Sequence, residues 1–408
     1  MEYQFSDKLA SLKPSAIREI FKNLTDPSII SFAAGNPAAE SFPVEELARL
    51  SADIFAKAPV QALQYSITEG YPPLREAVAK RQREVFGIGR SVKNGDAFND
   101  STMIVSGGQQ GIELACKVFC NEGDTVLCEN PTFIGSLNSF RSNGANTVGV
   151  EMEEDGIDPD ALERAILQNE NVKLLYLIPT FQNPTGITTT LEKRRRIYEI
   201  AKKYRLPILE DNPYGELRFA GEEIPTLKSM DTEGLVIYCS SFSKILSAGM
   251  RLGFVVAPEE IVSKMAVAKQ GEDVHTNIFF QMLCHRFMTE CDLDAHIQRI
   301  RAIYRHKAGL MLSELERHLP PEISFTRPEG GLFLWCTLPE GVDMNALVQE
   351  ALARKVAVVP GVAFNCDTSA PSRSFRLNYS TPTDEQIAEG VKRLGEAARA
   401  VLARKDKT

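Results

Sequence analysis

Val172-Lys173-Leu174-Leu175-Tyr176-Leu177-Ile178 is continuously apolar apart from Lys173. A strand with one wet face would alternate apolar and polar residues. A run this unbroken suits a strand covered on both faces, as in a parallel sheet sandwiched by helices. Upstream, Met103-Ile104-Val105, Thr125-Val126-Leu127-Cys128 and residues 147–152 are further short apolar runs. Residues 112–119 between the first two have helical spacing, and Asp158-Pro159 opens a helix with Asp as N-cap and Pro at the first helical position. Downstream, a helix over about 191–205 leads into Pro207-Ile208-Leu209, and residues 235–239 and 253–257 are two more buried-strand candidates. Strands alternating with helices predict the α/β class, with a large domain whose mostly parallel sheet is sandwiched by helices. Ligands of such sheets bind outside the carboxyl ends of the strands. After about residue 290 the texture changes. A long charged helical stretch over 293–318 precedes Leu332-Phe333-Leu334-Trp335, a helix near 343–354, a strand near 356–360, a run at 374–379 and a final helix. That grouping predicts a smaller α+β domain. There is no long linker, repeat or low-complexity segment.

Composition narrows the function classes. At 408 residues, two or three domains are expected. The 46 basic against 54 acidic residues give a net charge of −8, which argues against a nucleic-acid partner. The one basic run, Lys193-Arg194-Arg195-Arg196 followed by Lys202, Lys203 and Arg205, is interleaved with Ile197, Ile200, Ala201 and Tyr204 at helical spacing. It reads as the solvated face of a surface helix. The eight cysteines contain no CxxC and the five histidines no ligand spacing, so no metal site is expected. Reduced thiols fit a cytoplasmic protein. The N-terminal MEYQFSDKLASLKPSA lacks the apolar core of a secretory signal. No apolar stretch approaches the roughly 18 residues of a membrane span.

Chemistry gathers where the strands end. Ser106-Gly107-Gly108-Gln109, Asn183-Pro184-Thr185-Gly186, Asp211-Asn212-Pro213-Tyr214 and Ser241-Phe242-Ser243-Lys244 each follow a predicted strand. In the first, small residues before a helix let backbone N–H groups approach an anion; read alone, it is equally an ordinary tight turn. In the last, hydroxyls suit a phosphate and the lysine can carry a carbonyl cofactor as an imine. Arg251, seven residues on, can pair with the same dianion. The plain alternative is a surface turn with a solvated lysine. Asp211 can keep a pyridine nitrogen protonated, and Tyr214 and Asn183 can donate to a ring oxygen. Capping and core packing are the competing readings of those three.

Beyond these clusters, the chain carries Ser31-Phe32-Ala33-Ala34-Gly35-Asn36-Pro37, Tyr65 with Gly70 and Leu74-Arg75, and Phe375-Arg376-Leu377. With them it resembles, almost end to end, the fold-type I pyridoxal-phosphate-dependent aminotransferases of class I/II, whose fold is the aspartate-aminotransferase-like one. Leu63-Gln64-Tyr65-Ser66, Phe181-Gln182-Asn183-Pro184-Thr185-Gly186, Lys269-Gln270-Gly271 and Gly330-Gly331 carry a narrower likeness to the 2-aminoadipate/kynurenine branch. The resemblance implies three parts: residues 1–45 as a segment serving the small domain and substrate site, 46–290 as the large pyridoxal-phosphate-binding domain, and 291–408 as the small domain.

It also implies roles. Lys244 would hold pyridoxal 5'-phosphate as an imine and, once freed by the substrate, move the proton between the substrate α-carbon and the cofactor. Asp211 would pair with the ring nitrogen, and Asn183 and Tyr214 with the ring oxygen. The backbone of Gly107, Gly108 and Gln109, with Ser241, Ser243 and Arg251, would bind the phosphate. Phe133 would stack on the ring. Tyr65 would reach the phosphate of a neighbouring subunit, so a homodimer is implied. Arg376 would grip the substrate carboxylate beside Gly35, and Arg18, in the stretch Ser15-Ala16-Ile17-Arg18-Glu19-Ile20, would read a distal carboxylate. Asn130-Pro131 and Asn183-Pro184 stand where the family often has cis peptides. Two positions depart from the branch: Gly108 stands where Ser or Thr is usual, and Phe133 where Tyr is usual.

The implied activity is transfer of an amino group from 2-aminoadipate, an aromatic or a branched-chain amino acid to a keto acid such as 2-oxoglutarate, by a ping-pong scheme. A β-lyase or decarboxylase on the same cofactor is the alternative. An aminotransferase-like regulatory module is a further one, disfavoured by the acidic balance and by the absence of a winged helix before Arg18.

Overall fold

On the strand Val172–Leu177, Leu174 and Tyr176 belong to one hydrophobic core, while Leu175 and Leu177 belong to a second core on the opposite face. Side chains alternate across a strand, so two cores demand apolar residues at every position. This is the physical origin of the unbroken run. The computed structural model describes residues 3–10, 26–89 and 99–405. In chain order its strands are β1 (Ile30–Ser31), β2 (Asp100–Val105), β3 (Thr125–Asn130), β4 (Asn146–Glu153), β5 (Gly156–Ile157), β6 (Val172–Leu177), β7 (Ile208–Asp211), β8 (Val236–Ser241), β9 (Gly253–Pro258), β10 (Ser324–Phe325), β11 (Phe333–Thr337), β12 (Val356–Ala357), β13 (Val359–Pro360) and β14 (Ser374–Asn378).

One eight-stranded sheet runs β2-β9-β8-β7-β6-β3-β4-β5. The pairs β8–β7, β7–β6, β6–β3 and β3–β4 are parallel, whereas β9 is antiparallel to both its neighbours. The mostly parallel sheet expected from the sequence is therefore present. The Gly108–Phe119 and Ile134–Ser142 helices contribute Ile112, Leu114 and Leu137 to the first core. The Pro159–Gln168 and Leu191–Tyr204 helices contribute Leu162, Ile197 and Ala201 to the second. Asp158 caps the former as expected, accepting from Asp160 N at 2.8 Å.

A second sheet, β10-β11-β14-β13, is wholly antiparallel. The Leu293–His318 and Asp384–Lys405 helices pack together beside it. The N-terminal β1 pairs in parallel with β12, so residues near position 33 lie next to the second sheet. Both anticipated cis peptides, Asn130-Pro131 and Asn183-Pro184, are present. No helix among the described residues is long and apolar enough to cross a membrane.

The basic run needs a correction. Arg195, Arg196, Lys202, Lys203 and Arg205 are exposed as expected, but Arg194 is fully buried. Its guanidinium donates to the carbonyls of Thr189 (2.9 Å), Pro179 (2.7 Å) and Pro225 (3.0 Å) and to Thr180 Oγ1 (2.9 Å). Arg194 falls on the apolar stripe of its helix, in register with Ile197, Tyr198 and Ala201, and the planar fork satisfies loop carbonyls that no strand reaches. Arg194→Ala would leave the Thr189 and Pro225 carbonyls without this donor, whereas Pro179 O keeps its bond from Thr189 N at 2.8 Å. The substitution is expected to lower the unfolding free energy by about 3 kcal/mol in urea denaturation.

Candidate active site

The parallel strands deliver their carboxyl ends to one edge of the large sheet. There β2 ends before Gly107, β7 ends on Asp211, β8 leads into Ser243 and Lys244, and the loop after β6 carries Asn183. Arg376 arrives from β14 of the second sheet, in register with Trp335 and Val359, and Gly35 from the segment after β1. All of these but Gly107 line one cavity of about 370 Å³.

One wall is built for an anion. Gly107 has φ 80°, a left-handed conformation that favours glycine. A Cβ there would meet the end of the flexible Arg251 side chain, which can give way, so it is the backbone conformation that calls for glycine. The turn points the first N–H groups of the twelve-residue Gly108–Phe119 helix at the cavity, where the helix dipole favours negative charge. Ser241 Oγ donates to Ser243 Oγ at 2.8 Å, and Arg251 Nη1 lies 3.4 Å from Ser243 Oγ. The Phe133 ring lies over Gly135, where any Cβ would collide with it.

The floor holds a buried carboxyl group and an amine. Asp211 is buried and accepts from the Tyr176 hydroxyl at 2.7 Å. Burial pushes its carboxyl up to about 7, although the Tyr176 hydrogen bond works the other way. Among the described residues no cation pairs with it. Lys244 donates to Gly35 O at 2.8 Å. Its amine is brought down to about 8 by burial and then by the charges of Arg376 and Arg251. Arg376 donates to Asn183 Oδ1 and to Ala33 O, both at 2.8 Å, and its guanidinium lies over the rings of Phe333 (4.2 Å) and Phe364 (4.9 Å). Burial lowers it to about 10, so it stays a cation at neutral pH. Its Nε is buried with no partner. Asn183 Nδ2 lies 3.5 Å from Tyr214 Oη, and burial raises the Tyr214 phenol.

The cavity thus unites Gly35, Gly108, Gln109, Phe133, Asn183, Asp211, Tyr214, Ser241, Ser243, Lys244, Arg251 and Arg376, with Gly107 directly behind. Two expected residues are not brought in. Tyr65 is 83 % exposed and outside the cavity of its own chain, its ring edge-on to His275 at 5.8 Å. Arg18 lies outside the described residues. Sequence reading passed over Tyr176, counted as one more apolar residue of β6. A phenol in a strand covered on both faces must find a buried partner, and that was the available signal. Phe333, beneath Arg376 and edge-on to Tyr214, was likewise read only as part of the apolar run 332–335.

Residues 27–394 match the family model for aminotransferase class I and II. The chain belongs to this family. It is 41 % identical over 402 residues to the 2-aminoadipate transaminase of Thermus thermophilus, covering 98 % of this chain and 97 % of that one. It is 39 % identical over 402 residues to aromatic-amino-acid aminotransferase 1 of Thermococcus litoralis, covering 98 % and 94 %. The crystal structure of α-aminoadipate aminotransferase from Thermus thermophilus, complexed with N-(5'-phosphopyridoxyl)-L-leucine, superposes with a TM-score of 0.88 at 40 % identity over 98 % of both chains. This chain is therefore an aminotransferase with the aspartate-aminotransferase-like fold, and its substrates are amino and keto acids. Class I and II aminotransferases use pyridoxal 5'-phosphate.

The cavity of this aminotransferase fits that cofactor. A buried carboxylate without a cation complements a protonated ring nitrogen, and the glycine turn with its two serines and arginine complements a phosphate. At Gly108 a Cβ would meet nothing closer than Ser241 Cβ at 3.7 Å, so a serine fits there. Gly108→Ser is expected to tighten cofactor binding by about three- to tenfold, the size of one added hydrogen bond. Titrating the cofactor-stripped protein would show it.

Proposed function

We propose that this enzyme moves an amino group from 2-aminoadipate, an aromatic or a branched-chain L-amino acid to a 2-keto acid, 2-oxoglutarate foremost. The half-reactions follow one another in ping-pong order, in a cytoplasmic homodimer. The observation that carries the reading is one cavity holding an amine brought down to about 8 (Lys244), a buried carboxyl group that faces no cation among the described residues (Asp211) and a buried guanidinium (Arg376). The names of the two relatives and the leucine adduct of the solved structure support the substrate range. Exposed Tyr65 supports a shared site, because an aromatic ring this uncovered suits a partner's surface.

In this reading Lys244 binds the cofactor carbonyl, Gly107–Gln109, Ser241, Ser243 and Arg251 bind its phosphate, Phe133 stacks on its ring, and Asn183 and Tyr214 donate to its ring oxygen. Bound there, the cofactor supplies an electron sink for the pair of electrons left on the substrate α-carbon. Asp211, deep on the floor, keeps the ring nitrogen protonated. Arg376 takes the substrate α-carboxylate as a planar fork and so sets which α-substituent faces Lys244. With its amine free, Lys244 would be the group that takes up and carries the substrate α-proton. Phe333 and Phe364 cover the Arg376 guanidinium, which excludes water and strengthens its grip.

Arg376→Lys keeps the charge and loses the fork. It is expected to raise the KM for every amino acid by about 10- to 100-fold, the size of one charge-assisted hydrogen bond lost. The wider reading is tested on the visible absorption of the purified enzyme. Single donors added without keto acid should bleach the band and release stoichiometric keto acid, and 2-oxoglutarate should restore it. Ammonia or carbon dioxide in place of keto acid would overturn the transfer reading.

A further inference from the structure

Lys269, in the stretch Lys269-Gln270-Gly271, has no part in the chemistry above, yet it is completely buried. Its ammonium donates to Gln110 Oε1 (2.6 Å), Asp273 Oδ1 and Oδ2 (2.7 and 2.9 Å) and Thr276 Oγ1 (2.9 Å). Burying an amine is costly unless charge and hydrogen bonds compensate, so a fully satisfied lysine at this point calls for a reason. Its partners lead to the anion wall. Gln110 Oε1 also accepts from Ser106 N at 2.8 Å, and Asp273 Oδ2 accepts from Ser106 Oγ at 2.6 Å. Ser106 immediately precedes the Gly107 turn. The carboxylate of Asp273 is therefore one residue away from the backbone that receives the phosphate.

We propose that Lys269 is a positioning residue for the phosphate wall, acting chiefly by cancelling the Asp273 charge that would otherwise repel a dianion there. Asp273 is useful to the fold because it fastens Ser106 and Gln110, which set the direction of the Gly107–Gln109 N–H groups. Left uncompensated, the same carboxylate would oppose the helix N-terminus that attracts the phosphate. Glu272 nearby has its own cation, Lys117, at 2.5 Å, so Lys269 is what balances Asp273. The inference rests on the assignment of this wall to the cofactor phosphate.

The test compares the affinity of the cofactor-stripped full chain for pyridoxal 5'-phosphate and for pyridoxal, which lacks the phosphate. Lys269→Met is expected to weaken the phosphorylated form by about tenfold, the scale of one nearby charge at a partly buried site, and to leave pyridoxal within about twofold. Lys269→Met with Asp273→Asn should regain most of the loss, and Asp273→Asn alone should bind the phosphate at least as tightly as the parent. Equal weakening of both ligands, no weakening at all, or no recovery in the double variant would overturn the proposal. Should Lys269→Met fail to fold, a loss of phosphate affinity in Asp273→Asn alone would overturn it by itself. Ser243→Ala, run in parallel, tests the wall: if that variant does not favour pyridoxal, the assignment of the wall is wrong, and if it does, a failure belongs to Lys269.

Discussion

Lys244→Ala should leave a folded protein whose kcat is lower by about 10⁴-fold, the upper range for removal of a positioned acid–base group. The size follows from geometry. Among the described residues, Lys244 supplies the only amine lining the cavity, and Asp211, Tyr214 and Arg376 are each committed to another partner. The fold should tolerate the change. The lysine is half-buried, its one hydrogen bond goes to Gly35 O, and two neighbouring cations oppose its charge. Its thermal midpoint should therefore stay near that of the parent. Steady-state rates with saturating donor and acceptor decide it, and a variant retaining more than about one hundredth of the parent kcat would place the proton carrier elsewhere.

Asp211→Asn should lower kcat/KM by about 10²- to 10³-fold, the range for losing one preorganised electrostatic contact. The amide preserves the shape and still accepts from Tyr176, but it cannot keep a ring nitrogen charged. Stability should move the opposite way. In the cofactor-free protein the Asp211 carboxyl sits at about 7, above its ordinary value of 3.8. Between these limits the unfolded chain has already lost the proton that the folded chain retains. Stability from this group is thus fully present below about pH 4 and is lost as pH rises through 7. At pH 8 the cofactor-free Asn variant should be more stable than the parent by about 1–3 kcal/mol, and at pH 4 the two should converge. Urea denaturation at both pH values, with and without cofactor, would show the crossover. A parent that is the more stable at pH 8 without cofactor would mean that a cation already faces Asp211.

Much of this is legible in the sequence. Unbroken apolar runs such as Val172–Leu177 require two covered faces, and each strand carries its polar cluster at the carboxyl end. The parallel sheet and the edge bearing the site therefore follow from local pattern. Lys244, Asp211, Asn183 and the Gly107 turn are visible because each is a polar or glycine signal directly after an apolar run. Arg194 and Tyr176 are misread for the converse reason. A charged residue in a basic run and a phenol in an apolar run both look like their neighbours, and only the packing shows that one faces the core and the other faces Asp211.

The sequence by itself determined which elements form and which residue types they present at their ends, because strand and helix periodicity and turn chemistry are properties of neighbours along the chain. Only the tertiary structure decided that Arg376 from β14, Gly35 from the N-terminal segment and Lys244 from the large sheet share one cavity, and that Lys269 balances Asp273 behind the Gly107 turn. Those contacts join elements that local pattern leaves unconnected. Burial and the balance of charge, which no local pattern encodes, set their protonation and their strength.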